Sequence, residues 1–169
     1  MRSFRAAIIT VSDTGFAGER IDQSGPLIQD MLIQAGYEVA LYRILPDERT
    51  DLAEHLSDLC DRHQADLILT TGGTGFSPRD YTPEATLDIA ERLVSGIPEA
   101  MRAYSLQKTN RAMLSRSVAV IRGQTLIINL PGSPRAAKEN LECILPALEH
   151  GLAIMIGTAK DCARPLEPV

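Results

Sequence analysis

The residues best suited to chemistry follow apolar segments of the chain. Thr71-Gly72-Gly73-Thr74-Gly75 is followed closely by Arg79-Asp80. Three glycines in four positions let the backbone approach a ligand and turn its N–H groups inward, a nest for an anion that uses no lysine. Phosphate is its natural guest, and a tight turn alone needs fewer glycines. Ser12-Asp13 and Pro46-Asp47-Glu48 follow two other apolar segments and bring further carboxylates. Carboxylates beside an anion nest repel phosphate unless a cation lies between, and Mg²⁺ held by one or two carboxylates plus phosphate oxygens is the usual answer. Asp47 and Asp80 are the candidates to hold it. The plainer readings make Asp47 a turn residue after Pro46 and Asp80 a surface partner of Arg79. Pro131-Gly132-Ser133-Pro134 is either a strand-to-helix connection or a second phosphate site at a helix N-terminus.

Other chemistries find little support. Neither GxxxxGK[ST] nor GxGxxG occurs, which argues against a P-loop NTPase and a dinucleotide-binding domain. The three cysteines, Cys60, Cys143 and Cys162, are widely spaced without a CxxC and read as reduced, structural thiols. His55 and His63 are eight residues apart on one expected helix, a separation of about 12 Å that prevents a shared metal. His150 stands alone. The net charge of -5 leaves no basic surplus to neutralise a nucleic acid or an anionic membrane. No apolar run is long enough to span a membrane, and the one at residues 6–11 ends at Ser12-Asp13. A cytoplasmic protein acting on small anionic molecules is the expectation.

The elements that must position these residues follow from their patterns. Residues 5–11 and 65–71 are apolar, β-branched runs without alternation, expected of strands covered on both faces. Residues 37–45 form a further strand. Pro26 suits the first position of a helix whose stripe is Leu27, Ile28, Met31, Leu32 and Ala35, ended by Gly36. Thr50 is a cap for a helix with Leu52, Leu56, Leu59 and Cys60 on one face. This β-α-β-α-β order builds a parallel sheet. Thr82-Pro83-Glu84 opens another helix, with Thr82 as its cap, and residues 97–106 form one more. Residues 117–121 and 125–130 flank Arg122-Gly123-Gln124 as a hairpin, so the sheet is mixed. Ser133 and Pro134 start a last helix through Leu141, Ile144, Leu145 and Leu148, with Pro146 a position for a kink. The expectation is one α/β domain over residues 1–157, a three-layer sandwich with a mostly parallel mixed sheet, and an exposed tail over residues 158–169. In such sheets ligands bind beyond the carboxyl ends of the strands, where all the candidate segments fall.

The motifs Thr71-Gly72-Gly73-Thr74-Gly75, Arg79-Asp80, Thr82-Pro83-Glu84-Ala85 and Leu130-Pro131-Gly132-Ser133-Pro134 resemble the molybdopterin-binding family. The resemblance extends from Thr10-Val11-Ser12-Asp13 through Asp22-Gln23-Ser24-Gly25-Pro26 and Met113-Leu114-Ser115-Arg116-Ser117 to Leu145-Pro146-Ala147-Leu148. Within the family it is nearer to MogA, the plant Cnx1 G domain and the gephyrin G domain than to the MoaB proteins. It implies the MogA-like fold, usually trimeric, and Mg²⁺-dependent transfer of AMP from ATP to the terminal phosphate of molybdopterin, with release of pyrophosphate.

By that resemblance Asp47 and Asp80 match the family's catalytic aspartates and take Mg²⁺ and the triphosphate. Gly72, Gly73, Thr74 and Gly75 cradle nucleotide phosphate, while Ser12, Asp13, Ser115, Arg116, Asn129, Pro131, Gly132 and Ser133 line the pterin and nucleotide pocket. A homotrimer in transient contact with a MoeA-like molybdenum insertase is the implied assembly. The alternative is a MoaB-like molybdopterin-binding or scaffold protein without transferase activity, because some MoaB proteins lack one or both aspartates. A CinA-like domain shares the fold but belongs to a longer chain.

Overall fold

The structure is a computed structural model and describes residues 3–158. The expected tail, except Thr158, and Cys162 with it lie outside the described residues. The first strand, β1, is Arg5–Val11, and a single helical turn, α1 (Asp13–Phe16), follows it directly. The helix α2 spans Ser24–Gln34, two residues earlier than Pro26 alone implies. The reason is Asp22, whose Oδ1 accepts the amides of Ser24 at 2.8 Å and Gly25 at 3.1 Å and so satisfies donors that a helix start leaves free. The next elements are β2 (Glu38–Leu45), α3 (Arg49–Asp61) and β3 (Leu67–Thr71). Glu48, rather than Thr50, occupies the cap position of α3 and makes no side-chain cap bond.

The second half contains α4 (Thr82–Asp88), a two-residue strand β4 (Arg92–Leu93) and α5 (Gly96–Leu106). A 3-10 turn at Asn110–Leu114 leads to β5 (Ala119–Arg122) and β6 (Thr125–Leu130). The last helix, α6, spans Pro134–Met155 and continues through Pro146. Thr82 is the first residue of α4 and not its cap, a place taken by Tyr81. The strand β4 has no sequence signal because both its residues are exposed at an edge and show no burial pattern.

The six strands have the order β2-β1-β3-β6-β5-β4. The pairs β1/β2, β1/β3 and β3/β6 are parallel, while the β5/β6 hairpin and β4/β5 are antiparallel. Alternation on the strands supplies two cores. Ala6, Ile8, Leu67, Leu69, Ile128 and Leu130 face α2, α5 and α6 through partners such as Ile28, Met101 and Leu141. Ala7, Ile9, Val11, Ile68 and Ile127 face α3 and α4 through Leu52, Leu56 and Ala85. The sheet is therefore the middle of three layers, and period-2 alternation is hidden in the sequence because both faces are apolar.

Candidate active site

Strand β1 has β2 on one side and β3 on the other, so successive crossovers leave it in opposite directions and open a crevice beyond the strand ends. Three chain segments meet there. The Gly72 amide donates to the Leu130 carbonyl at 3.3 Å, and the Ser12 amide donates to the Leu45 carbonyl at 2.9 Å. Gly72 has φ +102° and lies so close to the Val11 carbonyl that a Cβ would collide with it. Gly73, at φ +62°, is equally left-handed, and its side-chain direction is closed by Thr82 and Asp47. These two glycines thus bring the loop against the ends of β1 and β6 with backbone alone at the surface. The result is a cleft of about 430 Å³ with Ser12, Asp47, Gly72, Gly73, Asp80 and Ser133 in its wall.

Asp22, Asp47 and Asp80 line this cleft, with Arg20 a cation in its wall, and Asp13 stands beside Asp47. The amide of Asp13 donates to Asp47 Oδ2 at 2.9 Å, and the amide of Asp47 donates back to Asp13 Oδ1 at 3.0 Å. Arg79 grips Asp13 with Nε and Nη2, at 2.8 and 2.9 Å, and reaches Glu48 at 2.9 Å. The Arg79 hydrogen bond holds the Asp13 carboxyl below its ordinary pKa, helped by the Asp47 amide. Asp47 is shifted the other way. Burial is the main cause, and the charges of Asp13 and Asp80 add to it, against the Asp13 amide and Arg79. Asp80 completes the acidic wall, with Oδ2 accepting the Ser77 amide at 2.9 Å. Among the described residues no group of three or more His, Cys, Asp or Glu side chains is arranged to hold a metal alone.

A second cleft, of about 660 Å³, lies across the glycine loop and shares Ser133 with the first. Its wall includes Thr74, Gly75, Ser115 and Pro131, and it has the opposite electrostatic character. Arg102, Lys108, Arg111 and Arg135 line it against one acid, Glu139. The pair of clefts therefore offers one acidic lobe, suited to a cation with phosphate oxygens, and one basic lobe, suited to an anion directly.

Residues 7–150 match the family described as a probable molybdopterin binding domain. The chain belongs to the molybdopterin-binding domain family. Among its relatives, the molybdopterin adenylyltransferase of Helicobacter pylori is 38% identical over 159 residues, 93% of this chain and 90% of the relative. The molybdopterin adenylyltransferase of Escherichia coli is 41% identical over 159 residues, 90% of this chain and 81% of the relative. A crystal structure of the molybdopterin biosynthesis enzyme MoaB of Thermus thermophilus superposes with TM-score 0.86 at 51% identity, covering 91% of this chain and 97% of that one.

Within this molybdopterin-binding domain, three expected pocket residues, Asp13, Arg116 and Asn129, line neither cleft. Arg116 donates from Nε to the Gly75 carbonyl at 2.7 Å and from Nη2 to the Asp80 carbonyl, and its Nη1 pairs with Glu84. It clamps both ends of the segment 75–80 from behind, where five fixed donors suit converging carbonyls. Asn129 is wholly buried, and its Nδ2 donates to the hydroxyls of Thr70 at 3.0 Å and Thr86 at 2.9 Å. It ties β6 to β3 and α4. Asp13 stands at the rim, engaged with Arg79, while Ser12, Asp47, Gly72, Gly73, Asp80, Gly132 and Ser133 line the acidic cleft and Thr74, Gly75, Ser115, Pro131 and Ser133 the basic one.

Sequence reasoning passed over the basic lobe and Asp22. Lys108 and Arg111 form a short cationic run after the helix expected at 97–106, a visible signal in an acidic chain, but Arg102 and Arg135 join them only through the packing of α5 on α6. Asp22 lines the acidic cleft and accepts from Thr10 at 2.5 Å, Tyr42 at 2.7 Å and two amides. Burial raises its pKa most strongly, yet the donors together outweigh burial and hold it below the ordinary value.

Proposed function

We propose that this protein is a molybdopterin adenylyltransferase, which transfers AMP from ATP to the terminal phosphate of molybdopterin in molybdenum cofactor biosynthesis. The observation that carries the reading is the pair Asp47 and Asp80 facing a glycine-lined cleft with no cationic side chain bonded to either carboxylate. A module that only binds a phosphorylated pterin gains nothing from two carboxylates beside its anion nest. A nucleotidyltransferase needs them.

Mg²⁺ fits this donor set. Asp47 is partly desolvated and repelled by two neighbouring carboxylates, a negative cluster that a hard divalent ion with oxygen ligands relieves. Asp47 and Asp80 would hold it, and bound there it supplies charge neutralisation for the triphosphate. The chain's own residues do the rest. An oxygen of the molybdopterin phosphate attacks the α-phosphorus, the new P–O bond forms, and the bond to the bridging oxygen breaks as pyrophosphate leaves with the electron pair. The attacking oxygen is already ionised near pH 7, so no general base is required. The glycine loop at Gly73 positions phosphate, and Arg79 fixes Asp13 and through it Asp47. Arg116 stiffens the loop that carries Asp80. Alignment and charge compensation are then the whole of catalysis.

The proposal includes a homotrimer, a cytoplasmic location and handover of the adenylylated product to a MoeA-like insertase. The family resemblance supports the first and third, and no helix among the described residues is long and apolar enough to cross a membrane. The deciding experiment measures pyrophosphate release with Mg²⁺ and ATP, with and without molybdopterin, in the wild type and in Asp47→Ala and Asp80→Ala. Release that requires molybdopterin and disappears in both variants is expected. No release, with pterin still bound, makes the protein a MoaB-like carrier or scaffold.

A further inference from the structure

Thr82 opens α4 and is 0% exposed. Its backbone is fully engaged, the amide donating to the Gly73 carbonyl at 3.1 Å and the carbonyl accepting the Thr86 hydroxyl at 2.8 Å. Its own hydroxyl is not. Thr82 Oγ1 is buried and has no hydrogen-bond partner. A threonine at a helix start ordinarily caps the free amides, but here Tyr81 holds the cap position. The hydroxyl lies instead against Gly73, in the notch that only the missing side chain of a glycine leaves for it. A Cβ built on Gly73 would collide with Thr82 Oγ1 and stand 3.1 Å from Asp47 Oδ1. One small space is therefore bounded by a glycine backbone, an unpartnered hydroxyl and one oxygen of a cleft carboxylate.

The two oxygens of Asp47 are engaged differently. Oδ2 accepts the Asp13 amide at 2.9 Å, whereas Oδ1 faces the notch. Burying a hydroxyl without a partner costs stability that an isosteric methyl group does not. Packing alone is thus better served by valine at this position, and the hydroxyl is explained by a bond formed when the cleft is filled.

We propose that Thr82 is a positioning residue for Asp47: in the nucleotide-loaded protein its hydroxyl donates directly to Asp47 Oδ1. With Oδ2 fixed by Asp13 and Oδ1 by Thr82, the carboxylate has a single orientation toward the cation and triphosphate. The identity of that ligand rests on the adenylyltransferase reading, while the geometry of the notch does not.

The test compares Thr82→Val and Thr82→Ser in the full chain by thermal unfolding, by calorimetric binding of a non-hydrolysable ATP analogue with and without Mg²⁺, and by turnover. Thr82→Val is expected to unfold at the wild-type temperature or above it. Its Mg²⁺-dependent tightening of analogue binding falls by about tenfold, the size of one lost hydrogen bond to a charged group. Its kcat falls while the KM for molybdopterin is unchanged, and Thr82→Ser restores both binding and kcat. Wild-type tightening in Thr82→Val overturns the proposal, and so does serine behaving like valine. A lowered unfolding temperature in Thr82→Val also overturns it, since the hydroxyl would then have a structural partner. Absence of Mg²⁺-dependent tightening in the wild type overturns it outright. If the wild type tightens with Mg²⁺ yet releases no pyrophosphate, the transferase reading fails and the Thr82 comparison is decided on binding.

Discussion

Asp13 and Asp47 are locked to each other by a reciprocal pair of bonds, each amide donating to the other's carboxylate, at 2.9 and 3.0 Å. The arrangement ties the end of β1 to the end of β2 and holds two like charges side by side. Arg79 sits on the Asp13 side at 2.8 Å, so the relief is unequal. Asp13 becomes the more acidic and Asp47 the less acidic of the two. The site thus keeps one carboxylate whose charge only a ligand can fully compensate.

That inequality predicts a stability gain from a disabling substitution. The pKa of Asp47 is raised in the folded state, first by burial and then by Asp13 and Asp80. Its protonated form is therefore favoured by folding, a contribution present at low pH and lost as pH rises through the folded value. At neutral pH the ionised group is a liability. Asp47→Asn keeps an acceptor for the Asp13 amide and removes the charge, so its melting temperature at pH 7 rises by about 2 °C, a figure discounted for partial exposure. The gap narrows as pH falls toward the ordinary aspartate value of 3.8. Transfer activity is lost in the same variant. Calorimetric melts at both pH values and a pyrophosphate assay check it, and a neutral-pH destabilisation would contradict it.

Asp22 predicts the opposite pH dependence. Burial opposes its ionisation, but the Thr10 and Tyr42 hydroxyls and the Gly25 and Ser24 amides together depress its pKa below 3.8. A depressed carboxylate contributes stability above its unfolded value, and that stability disappears as pH falls through the folded value. Asp22→Asn keeps one acceptor but turns an NH₂ toward groups that need an acceptor. It should be destabilised by about 1 kcal/mol at neutral pH, allowing for partial exposure, with the deficit shrinking below pH 3.8. Denaturant melts across this range would show it, and a pH-independent deficit would refute the ionic explanation.

Gly73→Val tests the nest. Its left-handed φ of +62° disfavours a branched side chain, and the new methyl groups enter the space between Thr82 and Asp47. Binding of a non-hydrolysable ATP analogue should weaken by more than about tenfold, because both the phosphate approach and the Asp47 orientation are obstructed. Gly96→Ala is the control, since a Cβ there meets nothing within 4 Å. Equal affinity in the Val variant and the wild type would remove Gly73 from the site.

Much of this was legible in sequence, and the rest failed for identifiable reasons. The buried strands β1 and β3 announce themselves because both faces are apolar, and the glycine loop because it follows one of them. Asp47 and Asp80 stood in the sequence with plain structural alternatives, a turn residue and a partner of Arg79, and the resemblance rather than the pattern put them forward; the structure places both in the wall of one cleft. The environment of a side chain is not readable in the same way. Arg116 and Asn129 stand in motif segments beside pocket residues, yet one clamps the loop from behind and the other is interior. Backbone direction decides which of two neighbouring residues faces the cleft, and composition carries no information about it. The basic lobe was hidden for another reason, since its four cations come from two helices and the segment after one of them and meet only when α5 packs on α6.

Asp80→Asn separates charge from architecture most cleanly. Asp80 Oδ2 accepts the Ser77 amide at 2.9 Å, a bond that the asparagine oxygen can keep. The Asp80 carbonyl is held by Arg116 whatever the side chain, so the loop retains its course. What disappears is one negative charge facing the acidic lobe. The basic lobe, with Arg102, Lys108, Arg111 and Arg135, is untouched. The variant should therefore melt like the wild type and bind molybdopterin with similar affinity. Adenylyl transfer should fall by at least about 10²-fold, the scale on which a single electrostatic partner of a phosphoryl transition state acts. Because the lost group compensates a cation, raising Mg²⁺ should recover part of the nucleotide binding but not the rate. Binding of molybdopterin and of the ATP analogue, measured beside pyrophosphate release over a series of Mg²⁺ concentrations, decides the matter. Turnover at the wild-type rate would show that Asp80 is only a loop residue capping Ser77, and that the acidic lobe works through Asp47 alone.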